Sequence, residues 1–383
     1  MGRIHSVTIC ALLLLMSYAS VVQPPLPEDD ITGLSDAQIT ALDSLPEGML
    51  SPSRSTGSNY TPPRTWYAST YGATMGADWV SSVSIDNAGD AFITGRVQPS
   101  NEQRAFGNLN VNHLDTGWIY PFVAKISRDG TWLWLATPSF GGQSQNNQGT
   151  PEGIGIVTDA NGDAYVTGTI QDKWMNFGST QLSACSNTCG FVAKINSTGD
   201  WQWATRIPSE NVPTAIARTP SGDIVVTGTC TSSAVVGDDS VSCVNTGNAF
   251  LAKFHGNNGT GDWVVASTSY TCSGCSIDSQ DVDVDVNGNI YITGTSASPN
   301  IGFGGSCNHY TGTQTTTPTY FVAKFDSSGT CIWVKGSTIS DSNGQSRGYG
   351  IAVTSAEEIY FAGEFREEFT IDDQSITSQA NTD

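Results

Sequence analysis

The chain has 383 residues, 38% of them apolar, which is enough to bury a large core. Its 36 acidic residues against 16 basic ones give a formal net charge of -20. That balance argues against nucleic acid or an anionic membrane surface as a partner. Acidic side chains do the most for solubility, so we read the excess as a solubility adaptation rather than as a surface for cationic ligands.

Residues 1–19 have the layout of a secretory signal peptide. Arg3 and His5 form a short charged opening, Val7 to Met16 an apolar run too short to span a bilayer, and Ser17-Tyr18-Ala19 a small-residue cleavage site. Cys10 lies inside the apolar run without a small-residue lipobox before it, so no lipoprotein is expected. No other segment is long or apolar enough to be transmembrane. Residues 20–63 are rich in Pro, Ser and acidic residues and read as a linker. Within them, Ser35 to Gln38 has capping-box spacing ahead of Ile39, Leu42 and Leu45, which allows one short helix.

From Arg64 to the last residue the chain is repetitive. One phrase reads IGIVTDANGDAYVTG at Ile154 to Gly168 and recurs with its closing glycine at Gly95, Gly228, Gly294 and Gly363. A second reads FVAKINSTGDWQWA at Phe191 to Ala204 and recurs from Phe122, Phe250 and Phe321. Each unit holds four strand-like runs, with tight Gly-containing turns between the first and second and between the third and fourth. A four-stranded unit recurring roughly every 65 residues is what a β-propeller blade requires, because one antiparallel sheet cannot cover both its faces and radial packing buries both. A solenoid would need shorter coils, and sandwich domains about 100 residues each.

These phrases resemble the SBBP-type repeat family of secreted prokaryotic β-propeller proteins, at Asp159 to Gly168 and Phe191 to Gly199 above all. The resemblance covers residues 64–383. It implies an all-β propeller of four-stranded antiparallel blades and an extracellular location, and it implies no catalytic residues. The fifth copy, Ser355 to Gly363, lacks the turn glycine, and no FVAK phrase follows it. With Arg64 to Thr70 matching an outermost strand, the count gives about five repeats and an incomplete ring that a longer natural chain would complete.

The tight turns lie on one face of such a propeller. The second-to-third and fourth-to-first loops lie on the other, where they are long and hold Cys185, Cys189, Cys230, Cys243, Cys272, Cys275 and Cys307. Cys331 starts an outer strand. An exported chain suggests disulfides, with local pairs 185–189, 230–243 and 272–275, and 307–331 by elimination. Cys272-Ser-Gly-Cys275 also fits a redox motif or half a zinc site, but no second ligand pair stands at zinc spacing. Function on repeat scaffolds sits on long loops, which makes Trp118 and Trp174 the candidate ligand-binding residues, as platforms for a sugar ring. Loop packing is the competing reading for both. The recurring Trp132, Trp134, Trp201, Trp203, Trp263 and Trp333 read as packing residues. Asn196 and Asn258 are glycosylation sequons in the third-to-fourth turns, and Asn59 is a third in the linker.

Three further patterns resemble motifs that carry chemistry. Gly344 to Gly348 matches the nucleophile elbow at Ser346, yet a strand follows it and no histidine lies downstream. Asp283 to Gly288 begins like a calcium loop but lacks the closing Glu, and Asp281, Asp283 and Asp285 read as one solvated strand face. The turns Asp86 to Asp90 and Asp159 to Asp163 suit Asp capping its own turn better than cation binding. No catalytic, cofactor or metal residues are expected. The expected function is a secreted or cell-surface module that binds a glycan, peptide or envelope protein. A polysaccharide lyase or hydrolase and a passive envelope protein are the alternatives.

Overall fold

The structure, a computed structural model, describes most of residues 79–377. The signal and linker segments, Trp66, Trp118 and Cys272 lie outside the described residues. Those described form an all-β protein of β-propeller type, with no helix. Blade 1 consists of Trp79–Ile85, Ala91–Val97, Tyr120–Ile126 and Trp132–Ala136, hydrogen-bonded in that order. Blade 2 consists of Glu152–Thr158, Ala164–Gln171, Thr188–Ile195 and Trp201–Ile207. Blade 3 has Val212–Arg218, Ile224–Cys230, Asn248–Phe254 and Gly261–Ala266, and blade 4 has Ile277–Val284, Ile290–Ser296, Thr319–Phe325 and Cys331–Gly336. Blade 5 is a two-stranded sheet, Gln345–Val353 with Ile359–Arg366. All pairings within blades are antiparallel.

The two repeated phrases turn out to be halves of one device. In every blade the first strand carries a β-bulge opposite the closing glycine of the first phrase, which in blades 1 to 4 follows a threonine, as between Pro213 and Ala215 opposite Gly228 and Thr227. The bulge drives a carbonyl of the first strand against that glycine. A Cβ on Gly228 would collide with the Val212 carbonyl, and one on Gly294 with the Asp278 carbonyl. Only glycine fits such a close backbone approach. The threonine beside it is fully buried and donates its hydroxyl to the phenylalanine carbonyl of the FVAK phrase: Thr94 to Phe122 at 2.7 Å, Thr167 to Phe191 at 2.8 Å, Thr227 to Phe250 at 2.7 Å and Thr293 to Phe321 at 2.8 Å. In blade 5 the position is Ala362, and no FVAK strand stands beside it.

Blades pack face to face through two contacts. At the fourth strand, a tryptophan of one blade lies on the third-to-fourth turn glycine of the next: Trp134 on Gly199, Trp203 on Gly259 and Trp263 on Gly329. Those glycines have positive φ, between 72° and 91°, as the turn demands. Trp134 Nε1 also donates to the Ser197 carbonyl at 3.0 Å and Trp203 Nε1 to the Gly256 carbonyl at 3.3 Å. At the first strand, successive blades are linked by side chains, such as Ser84 Oγ accepting the Thr158 N–H at 3.1 Å.

The second-to-third connections depart from the face assignment read from the sequence. They do not stay at the far end of the blade. Each forms a hairpin, such as Trp174–Phe177 with Thr180–Leu182, that runs back along the fourth strand. The hairpin tip at Gly178 reaches Trp201 and the tip at Gly237 reaches Gly261, both at the start of a fourth strand. The physical reason is the wedge that opens between radial sheets as they diverge outward, which leaves apolar surface uncovered. The hairpins fill it. Phe106 packs on Phe122 and Trp132, Phe177 on Phe191 and Trp201, and Phe303 on Phe321 and Phe325, with ring centroids 4.8–6.1 Å apart. Two hairpins also add a strand from the preceding blade's end: Ser139–Gly141 pairs with Trp174–Phe177, and Thr268–Ser269 with Asn300–Gly302.

This folding back explains the cysteines. Cys230 joins Cys243 across the base of the blade 3 hairpin, and Cys185 joins Cys189 where the chain passes from the blade 2 hairpin into its third strand. Cys307 joins Cys331, because the blade 4 hairpin descends to the strand start where Cys331 sits. Cys275 is also disulfide-bonded.

Two substitutions test the shared device. Thr227→Val leaves the Phe250 carbonyl without its donor in a fully buried site and is expected to cost about 1–3 kcal/mol. Gly228→Ala forces the bulge apart and is expected to cost more than Thr227→Val. Urea unfolding of the full chain measures both, and equal or negligible losses would contradict the bulge-driven account.

Candidate functional site

The repeat itself separates structural residues from available ones. Where one side chain does one job in successive blades, packing explains it. The FVAK lysine is such a residue. Lys125 Nζ lies 3.0 Å from Asp86 Oδ2 and 3.2 Å from Asp90 Oδ2 of its own blade's turn, and Lys194 Nζ 3.0 Å from Asp163 Oδ2. Lys253 reaches Asp223 at 3.5 Å and Asp262 at 3.1 Å. The ammonium groups also sit over the rings of Phe92, Tyr165 and Tyr291, 4.7–5.0 Å from the centroids.

The other carboxylate oxygen caps the turn. Asp86 Oδ1 accepts the N–H groups of Ala88 and Asp90 at 2.9 and 3.0 Å, and Asp159 and Asp285 do the same in their blades. Burial works against ionisation of Asp86, but the Lys125 hydrogen bond and the backbone donors outweigh it and hold the carboxyl below its ordinary range. The D-x-x-G-D turns are thus occupied by a lysine and two amides. Asn258, exposed, and Asn196, half-buried, do the same capping job in the third-to-fourth turns, accepting from Thr260 N–H at 3.0 Å and Thr198 N–H at 3.1 Å.

Two sequence readings need correction. Asp281 and Asp283 do not form a solvated face. Their Oδ2 atoms accept the N–H groups of Ile351 and Val353 on blade 5, at 2.9 and 2.7 Å. The bulge at Ser279/Asp281 turns both side chains toward the next blade, where burial raises their pKa. Trp174 does not sit in an open loop. It lies on a hairpin strand in register with Gly141, and its ring is half-buried.

Ser346 lies in a strand, not at an elbow, and is buried. Its Oγ accepts the Tyr320 N–H at 2.9 Å and shares a hydrogen bond with Ser337 Oγ at 2.5 Å. A hydroxyl so placed has no path to a substrate. A cleft beside the blade 4 hairpin, lined by Thr268, Asn300, Gly304, Gly305 and Asn308 among others, contains no ionisable side chain.

What remains is a rim at the long-loop end of the first two strands. Here each blade places one residue ahead of the bulge, at a fixed distance before the T-G glycine: Trp79, Glu152, Val212, Asp278 and Arg347. Their partners on the second strands are Arg96, Thr169, Thr229, Thr295 and Glu364. Arg96 stacks over the Trp79 ring at 6.0 Å and pairs with Glu152 of blade 2 at 3.5 Å. Thr229 Oγ1 donates to Asp278 Oδ1 at 3.1 Å, and Arg347 lies 3.8 Å from Glu364. Trp79 is 58% exposed, and Tyr349, in the bulge of blade 5, is 49% exposed. Burial and the neighbouring Glu364 hold the Tyr349 hydroxyl above its ordinary value. The rim was legible in the aligned repeats as a position whose chemistry changes from copy to copy, a signal that motif searching passes over.

Neither the family models nor the curated proteins contain a match to this chain. Among solved structures, a protein of unknown function from Bacteroides caccae is 13% identical, over 67% of this chain and 81% of its own, with a TM-score of 0.27. A structure described as a putative gluconolactonase is 11% identical, over 82% and 94%, with a TM-score of 0.32. A catalytically inactive virginiamycin B lyase from Staphylococcus aureus with quinupristin is 10% identical, over 78% and 96%, with a TM-score of 0.28. At such values the fold rests on the blade geometry itself.

Two outcomes follow from this placement. Lys125→Met strands the buried Asp86 carboxylate and is expected to cost about 3–5 kcal/mol at neutral pH. Because Asp86 has a lowered pKa, its share of the stability is present at neutral pH and is lost as pH falls through its folded value, so the penalty should shrink in acid denaturation series. Separately, Ser346 should stay unlabelled by a fluorophosphonate probe in the folded protein; labelling would revive the elbow.

Proposed function

We propose that this chain is an exported propeller of the SBBP type that binds an extracellular glycan at the first-strand rim. The observation that carries the reading is the rim's changing chemistry on an otherwise repeated frame. A platform that binds an irregular ligand needs different groups side by side, and only positions freed from packing can supply them. Exposed Trp79 and Tyr349 offer ring faces for a sugar. Arg96, Arg347, Glu152 and Asp278 offer donors and acceptors for its hydroxyls. The disulfides support an oxidising compartment. The acidic net charge keeps polyanions away from the surface.

The test is a glycan array followed by calorimetry on the hit with the purified chain. Trp79→Ala and Tyr349→Ala should each weaken binding about tenfold while leaving the unfolding midpoint in place, since both rings are largely exposed. Trp118→Ala and Trp174→Ala test the long connections as the alternative ligand-binding positions. Rim variants that bind like the wild type would remove the assignment. Shortening of the captured glycan would move the protein to the lyase or hydrolase class, and capture of peptides alone would replace the ligand.

A further inference from the structure

The seam between blades 4 and 5 is built differently from the others. At the first-strand positions that face the next blade, blade 1 offers Ser82 and Ser84, blade 2 Gly155 and Val157, blade 3 Ala215 and Ala217, and blade 4 Asp281 and Asp283. Behind the blade 2–3 and 3–4 seams stand large buried apolar clusters. Among the described residues the buried cluster at the blade 4–5 seam is smaller, Tyr291, Tyr320, Val322 and Ile351, with Trp333, Val353, Ile359 and Phe361 partly buried against it. Polar contacts take over. Each carboxylate bridges two strands, Asp281 through Val282 N–H and Ile351 N–H, and Asp283 through Val284 N–H and Val353 N–H.

The missing turn glycine of the fifth repeat belongs to the same seam. Glu357 occupies that position with φ of 62°, a left-handed conformation that side chains avoid. In blade 2 a Cβ at the corresponding Gly162 would point at Asp86 and Lys125 of blade 1. Glu357 exploits that direction. Its Oε1 accepts Asn287 Nδ2 at 2.8 Å, and its Oε2 lies 3.5 Å from Lys324 Nζ, both on blade 4. Asn289 stands where blades 1 to 3 carry Asp90, Asp163 and Asp223, so the second carboxylate near Lys324 comes from blade 5 rather than from its own turn. The strain is internal to blade 5's own hairpin turn, whereas the contact it creates exists only when the blades are docked.

We propose that blade 5 docks reversibly on blade 4 through a polar latch, with Glu357 as its clasp and the Asp281–Asp283 pair as its hinge contact. The charged and titratable groups around the pair are Asp278 on the same strand, Asp285 in the turn after it, Tyr291 and Lys324 behind it, and Arg347, Tyr349, Glu357, Glu358, Tyr360, Glu364 and Arg366 on blade 5. None of the cations is in contact with Asp281. Burial, and then the charge of Asp283, push its carboxyl up to about 6 against the pull of its two N–H donors. A carboxyl raised above its ordinary 3.8 stabilises docking fully below that value, and the contribution is lost as pH rises through 6. Between pH 5 and 7.5 this linkage corresponds to about a tenfold rise in the opening equilibrium.

Hydrogen exchange resolved to the Ile351 and Val353 amides reads the seam directly. Both N–H groups point at blade 4, so they exchange when the seam opens even if blade 5 keeps its own sheet. After correction for intrinsic rates, protection in the full chain should fall about tenfold from pH 5 to pH 7.5, while core amides of blade 3 such as Val226 hold. Asp281→Asn should flatten that dependence. Glu357→Gly restores the relaxed turn yet should lower protection at Ile351 and Val353 at least threefold. Protection that rises with pH, or a Glu357→Gly variant as protected as the wild type, would overturn the latch.

Discussion

One buried hydrogen bond organises each complete blade. The threonine of the T-G pair reaches across from the second strand to the phenylalanine carbonyl of the third, and the glycine beside it yields to the bulged first strand. A bulge bends its strand and frees a ladder position. Here it does so at the same register in all five blades and turns the first-strand side chains toward the neighbouring blade. The interblade links through Ser82, Ser84, Thr214, Asp281 and Asp283 all depend on that turn.

From this constraint follows a division of labour along the radius. Near the first strands, blades touch through short polar groups and glycines, because the sheets converge and space is scarce. Near the fourth strands they diverge, and tryptophans and inserted hairpins fill the opening. The insertions are therefore part of the core, and the disulfides that close them keep that filling in place. Groups that look chemically suggestive in the sequence are largely absorbed by these duties. The turn aspartates neutralise lysines, Ser346 ties blade 5 to Tyr320, and the capping asparagines hold turns.

The blade 4–5 seam shows what happens when the repeat weakens. With fewer apolar residues to bury, the same positions carry carboxylates, and a strained glutamate replaces a turn glycine to gain a contact on the neighbouring blade. Polar groups buried at an interface are worth keeping only if each is satisfied. Every oxygen of Asp281 and Asp283 has its donor. That satisfaction distinguishes a specific joint from a poorly packed one.

Blade number, strand order and the tight turns were legible in the repeat, because period-2 alternation and turn glycines are local properties of the chain. The short-range cysteine pairs 185–189 and 230–243 were legible for the same reason. The union of Cys307 with Cys331 has its geometric basis in the hairpin's descent along the blade, which is a tertiary event. Local pattern also misplaced Asp281, Asp283 and Trp174. An Asp-Val-Asp alternation looks solvated until a neighbouring blade presents N–H donors to it, and a tryptophan in a long connection looks free until that connection pairs with the preceding blade's end. What the amino-acid sequence determined was the blade. What only the tertiary structure decided was the surface between blades, since burial there depends on which sheet stands opposite, and no residue's own neighbours in the chain carry that information.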